Sequence, residues 1–171
     1  MRPTVLITED DNVQRQILSD ILLKAGYQVR AVNSGKLALS TLRSEDCDLL
    51  LTDLRMPEMD GLALLCEAKR LRPEIEVVVM TAYATVKTAV TAMTEGATDY
   101  LAKPFDKDEL LLVVERALER GELRRENRQL RDLVTTGASL GNIIGECPVM
   151  QKIFDITQRA VKINSTVLIQ G

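Results

Sequence analysis

Short apolar runs alternate with segments whose apolar positions recur at helical spacing across residues 4–120. Val5 to Thr8 predicts a strand. Glu9-Asp10-Asp11 follows, three acids that suit the positive end of a helix, with Asp11 or Asn12 as its cap. Ile17, Leu18, Ile21, Leu22 and Ala25 predict the buried face of that helix, and Gly26 its stop. Tyr27 to Val32 alternates as a second strand, which Asn33-Ser34-Gly35 turns. Leu37, Ala38, Leu39 and Leu42 mark a second amphipathic helix. Leu49 to Asp53 reads as a central strand buried on both faces. Met56-Pro57 forbids that strand from continuing. A loop through Gly61 then leads to a helix carrying Leu62, Leu65, Ala68, Lys69 and Leu71, ended near Pro73. Val77 to Met80 is a fourth, fully apolar strand ending at Thr81. Thr85 to Glu95 is a helix with Val86, Val90 and Met93 on one face, closed by Gly96. Tyr100 to Ala102 is a short fifth strand, and after Lys103-Pro104-Phe105 a helix starts near Asp106.

Five strand–helix units in succession imply a parallel sheet with right-handed crossovers and helices on both faces. The expected class is α/β, a flavodoxin-like doubly wound five-stranded sheet followed by a helical linker. In such a sheet the carboxyl ends of all strands point one way. Glu9, Asp10, Asp53, Thr81 and Lys103, far apart in sequence, therefore fall on one rim, where open α/β sheets place their ligands.

Composition narrows the chemistry. The chain has 171 residues, 46% of them hydrophobic and 27% charged, with a net charge of −3. That is enough apolar material for a core and a mild argument against direct nucleic-acid binding. No apolar run approaches a membrane span, and the start lacks the apolar stretch of a signal peptide. Cys47, Cys66 and Cys147 have no metal-site or CxxC spacing, so free thiols in a reducing cytoplasm are expected. Histidine is absent, which excludes histidine bases and histidine zinc ligands.

Three carboxylates gathered on one rim repel each other unless a cation sits among them, and an all-oxygen, partly hydrated set suits Mg2+. With a lysine and a threonine added, the set describes phosphoryl transfer to a carboxylate. The nucleophilic aspartate forms an acyl phosphate while positive charge neutralises the moving oxygens. Each residue alone has a plainer use as a helix cap, a surface lysine or a strand-end threonine. The coincidence of five at strand ends is the argument.

Those motifs carry a resemblance. Glu9-Asp10, the segment Asp53-Leu54-Arg55-Met56-Pro57 with Asp60-Gly61, Thr81-Ala82 and Lys103-Pro104-Phe105 make residues 4–120 resemble the receiver domain of two-component response regulators. The resemblance implies that Asp53 is the phosphoacceptor, phosphorylated by a sensor histidine kinase. It implies that Glu9, Asp10, Asp53 and the Arg55 backbone carbonyl hold Mg2+, and that Lys103 binds the phosphoryl group. Thr81 and Tyr100 would form the switch pair, and the Lys103–Pro104 bond would be cis. Glu9 stands where the family more often has Asp, without changing the expected metal. Tyr83 is a second aromatic near the switch.

Beyond the receiver, Leu110, Val113, Val114, Ala117 and Leu118 predict a core face, and Gly121 a weak point in the helix. Leu123, Asn127, Leu130 and Val134 then fall at heptad spacing, a seam with one polar core position of the kind that fixes register in dimeric coiled coils. The alternative is a solvated amphipathic helix. The expected division is a receiver at 1–120, a helical coiled-coil-type linker at 121–141, and a third piece at 142–171. That last piece resembles the opening of the AAA+ ATPase domain of NtrC-like sigma-54 activators. No GxxxxGK[ST] loop occurs, so this piece lacks Walker A and is expected to be weakly ordered by itself.

The resulting expectation is a cytoplasmic, homodimerising signalling chain of the NtrC/DctD type, truncated at the start of its ATPase domain and not itself an enzyme. Sigma-54 RNA polymerase and DNA would be reached only through domains beyond this chain, with no membrane partner. Two rivals use the same rim. A haloacid-dehalogenase-like phosphatase with Asp53 as nucleophile needs a second Asp two residues on, where Arg55 stands. A flavin mononucleotide binder needs a small, hydroxyl-rich phosphate loop where Glu9-Asp10-Asp11 would repel the phosphate. A stand-alone receiver acting only by protein binding fits the linker and the ATPase-like tail less well.

Overall fold

A computed structural model of the chain describes residues 2–82 and 85–137, with side chains as far as Arg131. The apolar runs become β1 (Thr4–Thr8), β2 (Gln28–Val32), β3 (Leu49–Asp53), β4 (Glu76–Thr81) and β5 (Asp99–Ala102). Between and after them lie α1 (Asn12–Lys24), α2 (Gly35–Ser44), α3 (Gly61–Leu71), α4 (Val86–Thr94) and α5 (Lys107–Gly137). All pairings are parallel, in the order β2-β1-β3-β4-β5, as expected of the doubly wound class. Residues 1–127 form one compact unit and 128–171 a second, of which only the end of α5 is described.

Strand pleating divides the core in two, because successive side chains point to opposite faces. Leu6, Leu50, Val77 and Val79 meet Leu39 and Leu42 of α2, Leu64 and Leu65 of α3 and Ala92 of α4. Val5, Ile7, Leu49, Leu51, Val78 and Met80 meet Leu18 and Leu22 of α1 and Leu110 and Val114 of α5. Every residue of β3 and β4 is buried, whereas β2 is a half-exposed edge. Helix starts use the caps that their sequences offer. Asp11 accepts from the Gln14 amide and Asp60 from the Ala63 amide, each at 2.8 Å. Thr85 and Thr88 form a reciprocal capping box. Gly26 and Gly96 follow α1 and α4 at φ 95° and 99°, the left-handed geometry that ends helices.

One apolar assignment needs correction, and two further apolar stretches prove exposed. Ile17 and Ala25 are exposed, so the buried face of α1 narrows to Leu18 and Leu22 with part of Ile21. Val86, Val90 and Met93 do share one face of α4, but that face meets solvent; the sheet side is carried by Ala92. Leu71, at the end of α3, is also exposed. Gly121 does not interrupt α5. It is buried, and a Cβ there would lie 3.0 Å from Glu76 Cγ. The missing side chain is what lets the helix lie against the start of β4. Tyr83, Cys147 and the 142–171 segment lie outside the described residues, as does the side chain of Val134.

Candidate functional site at the carboxyl ends of the strands

Strand topology converges the predicted residues. Glu9 follows β1 directly, Asp53 ends β3, Thr81 ends β4 and Lys103 follows β5. β1 pairs with β3 and β3 with β4, so the first two acids stand beside Asp53. Met80 is level with Asp53, which places Thr81 one residue further along the neighbouring strand. The Lys103 amide donates to the Thr81 carbonyl at 2.7 Å, extending the ladder into the loop after β5. The Lys103–Pro104 peptide is cis, as the resemblance implied.

The Lys103 ammonium is the geometric centre. It donates to Asp53 Oδ1 at 2.6 Å, to Glu9 Oε2 at 2.7 Å and to Gln14 Oε1 at 2.8 Å. The other Asp53 oxygen, Oδ2, accepts from the Arg55 amide at 2.8 Å. Asp53 is thus held at both oxygens, at the carboxyl end of β3. Glu9 Oε1 accepts from the Asp11 amide at 3.3 Å. Arg15 ties the loop down by donating to the Glu9 carbonyl at 2.7 Å.

The charges are unequally placed. Glu9 is 2% exposed as a side chain and Lys103 15%. Burial pushes the Glu9 carboxyl above its ordinary value, and the ion pair with Lys103 only partly offsets this. Burial also pushes the Lys103 ammonium down, but its bonds to Asp53 and Glu9 outweigh that, and its pKa lies above the usual lysine value. One ammonium faces the three carboxylates of Glu9, Asp10 and Asp53. Ligand oxygens of Glu9, Asp10 and Asp53 lie within 4.8 Å of one another, with Asp10 exposed and the other two buried. A hard divalent cation fits this donor set, since it adds the positive charge that the buried pair of acids lacks.

Tyr100 lies beside Val79 in register, one strand over from Asp53's own neighbour. Its hydroxyl bonds the Thr88 hydroxyl of α4 at 2.9 Å, and its ring is half-buried. Thr81 is buried. The two expected switch residues thus occupy adjacent strands, with Tyr100 attached to α4.

Sequence reasoning missed Gln14, Arg15 and the part played by Gly61. Gln14 and Arg15 look like ordinary polar helix positions, and only the fold shows that their first-turn location faces the acids. A Cβ on Gly61 would lie 2.3 Å from the Asp53 carbonyl oxygen, so the α3 start abuts the candidate phosphoacceptor's backbone.

Residues 5–115 match the family model described as the response regulator receiver domain. The chain is 40% identical over 170 residues to the DNA-binding transcriptional regulator NtrC of Salmonella typhimurium, covering 99% of this chain and 35% of that one. It is 38% identical over 167 residues to the regulatory protein AtoC of Escherichia coli, covering 98% and 36%. The chain thus spans little more than a third of the length of these relatives. Among solved structures, NtrX from Brucella abortus superposes with a TM-score of 0.73 at 32% identity, over 96% of this chain and 35% of that one. A CheY-like receiver domain protein from Methanospirillum hungatei gives 0.70 at 29% identity, over 72% and 99%. No helix among the described residues is long and apolar enough to cross a membrane.

Proposed function

The chain belongs to the response regulator receiver domain family, and from that premise we propose that it takes a phosphoryl group from the phosphohistidine of a sensor histidine kinase onto Asp53. The observation that carries the reading is the Lys103 ammonium, bonded at once to Asp53 and Glu9 on a rim of three acids. An Asp53 oxygen attacks phosphorus. The new O–P bond forms as the P–N bond to the kinase histidine breaks, and its electron pair leaves with the imidazole. Lys103, already within bonding distance of Asp53, neutralises the incoming oxygens, and the Arg55 amide fixes the carboxylate's orientation. Glu9, Asp10, Asp53 and the Arg55 carbonyl would hold Mg2+, which when bound supplies further positive charge to the transferring oxygens. Val13 and Ile17, apolar and exposed on α1, the helix that follows Glu9 and Asp10, offer surface to the kinase.

Thr81 and Tyr100 act as the switch. The acyl phosphate draws the Thr81 hydroxyl inward, Tyr100 exchanges its bond to Thr88, and the α4 surface repacks. The output is a change in homodimerisation. Leu123 and Leu130 are 66% and 55% exposed, with Asn127 also exposed between them, the presentation expected of a coiled-coil seam awaiting a second copy. In a longer, NtrC-like cytoplasmic protein this dimer would govern a sigma-54-activating ATPase. On this reading the chain itself is a signalling module and not an enzyme, and sigma-54 polymerase and DNA belong to further domains.

Sedimentation of the chain with Mg2+, with and without beryllofluoride as a mimic of the acyl phosphate, tests this. A mimic-dependent shift in mass that Asp53→Ala abolishes is expected. An unchanged monomer–dimer balance in the presence of bound mimic would remove dimerisation as the output. Mg2+ alone should raise the Tm of the native chain, because it binds the folded state only. Glu9→Gln should lose most of that rise, because it removes one of the carboxylate charges offered to the cation. An equal rise in both proteins would place the metal elsewhere.

A further inference from the structure

A second set of buried charge lies at the opposite end of the sheet from Asp53. Glu76 opens β4 and its side chain is 1% exposed. Oε2 accepts from the Thr98 hydroxyl, and Oε1 accepts from Arg124 of α5 at 3.1 Å. Thr98 is itself fixed: its amide donates to the Val77 carbonyl at 2.7 Å, and its hydroxyl oxygen accepts from the Val77 amide at 3.1 Å. Arg125, next along α5, donates to Asp48 Oδ1 at 2.8 Å, while Asp48 Oδ2 accepts from the Thr4 amide at 2.9 Å. Gly121 brings the helix axis close enough for this, since any side chain there would press on Glu76. The apolar stripe of Leu110, Val114 and Ala117 is thus continued along the same face of α5 by Gly121 and Arg124, at spacings of four, three, four and three.

Glu76 stands at the start of β4, the end away from Thr81 and the acids of the phosphoacceptor rim. A carboxylate so deeply placed is costly unless paired, and breaking one partner of such a pair is strongly unfavourable. We infer that Glu76 is a positioning residue for the linker helix: with Arg124, Gly121 and the Asp48–Arg125 pair it latches α5 to the base of the receiver and sets the helix's rotation. Lys69 also lies near this carboxylate, its own pKa lowered first by burial, but it spends its ammonium on the Ile75 carbonyl. The strand that carries the latch at Glu76 carries Thr81 at its other end. The consequence for output rests on the dimerisation reading above: with the latch closed, Leu123 is turned to solvent and available to a second copy.

Hydrogen exchange on the whole chain, kept dilute enough to be monomeric, tests the latch without reference to dimers. Arg124→Gln combined with Arg125→Gln should speed exchange of the amides at 121–127 roughly tenfold, while those of α1 and β3 are unchanged. Both arginines reach in from solvent, the Arg124 side chain being 49% exposed, so the fold itself should survive. Gly121→Ala provides a test by sign. In a free helix alanine slows exchange, because it is the better helix former. Pressed against a fixed Glu76 it should instead speed exchange. Slower exchange in Gly121→Ala, or unchanged exchange in the double arginine variant, overturns the latch. A faster-exchanging variant whose beryllofluoride-driven dimer constant stays at the native value would leave the latch standing and remove the dimer reading.

Discussion

Asp53→Asn is expected to abolish phosphoryl acceptance, with transfer from a phosphorylated kinase or from acetyl phosphate falling by at least ~10⁴-fold, the scale of losing a nucleophile. The carboxamide occupies the same volume, and its oxygen can still accept from Lys103. It lacks the anionic oxygen that must attack phosphorus. Its amide group also meets the Arg55 N–H that now donates to Asp53 Oδ2, two donors facing each other. The fold should change little, because the side chain lies at the rim and not within the core clusters. Radiolabel transfer followed on a gel, with circular dichroism as the control for folding, measures this. Labelling of the variant at the native rate, mapped to Glu9 or Asp10, would move the acceptor to another acid of the same rim.

Why this much could be read from residues alone follows from how the fold is built. The strands are short, β3 and β4 carry unbroken apolar runs (Leu49 to Leu51 and Val77 to Met80), and most strands end at a proline, glycine or polar cluster. Period and punctuation therefore agree. Once five such strands run parallel, the site follows from topology, since the strand ends must share a rim. Helix faces were less legible. Ile17 has the same spacing from Leu18 and Ile21 as a core residue would, yet of the apolar positions of α1 only Leu18 and Leu22 are fully buried. Val86, Val90 and Met93 form an exposed stripe, and a stripe awaiting a partner has the same sequence signature as one facing a core. Gly121 reads as a helix defect by propensity. Its reason, the carboxylate of Glu76 opposite, lies 45 residues earlier in the sequence and becomes visible only when the helix is laid on β4. Gln14 was illegible for the same cause: its contact with Lys103 spans 89 residues.

The largest expected loss of stability at the site comes from a single methyl group, in Gly61→Ala. Gly61 begins α3 immediately after the Asp60 cap, and its amide donates to the Leu54 carbonyl at 2.8 Å. A Cβ would stand 2.3 Å from the Asp53 carbonyl oxygen and 2.9 Å from Leu54 Cα. Both obstacles are backbone, so no rotamer change relieves them. Nor can that backbone withdraw, because β3 is paired on both sides and the Leu54 amide is bonded to the Met80 carbonyl at 2.7 Å. Overpacking of this kind costs about 3 kcal/mol or more. The entropy gained by removing a glycine from the unfolded chain returns only about 0.4–1 kcal/mol. A net loss of roughly 2–3 kcal/mol is therefore expected in urea titration, together with slower phosphoryl acceptance, because the strain is relieved only by moving the Asp53 backbone. Gly35→Ala is the matched control. Its Cβ would meet the Met59 side chain, with Sδ at 2.9 Å, and a flexible thioether can turn away. Gly35→Ala should unfold within about 1 kcal/mol of the native chain and accept phosphate normally. Equal midpoints for the two variants would show that α3 does not abut Asp53 as closely as this geometry requires.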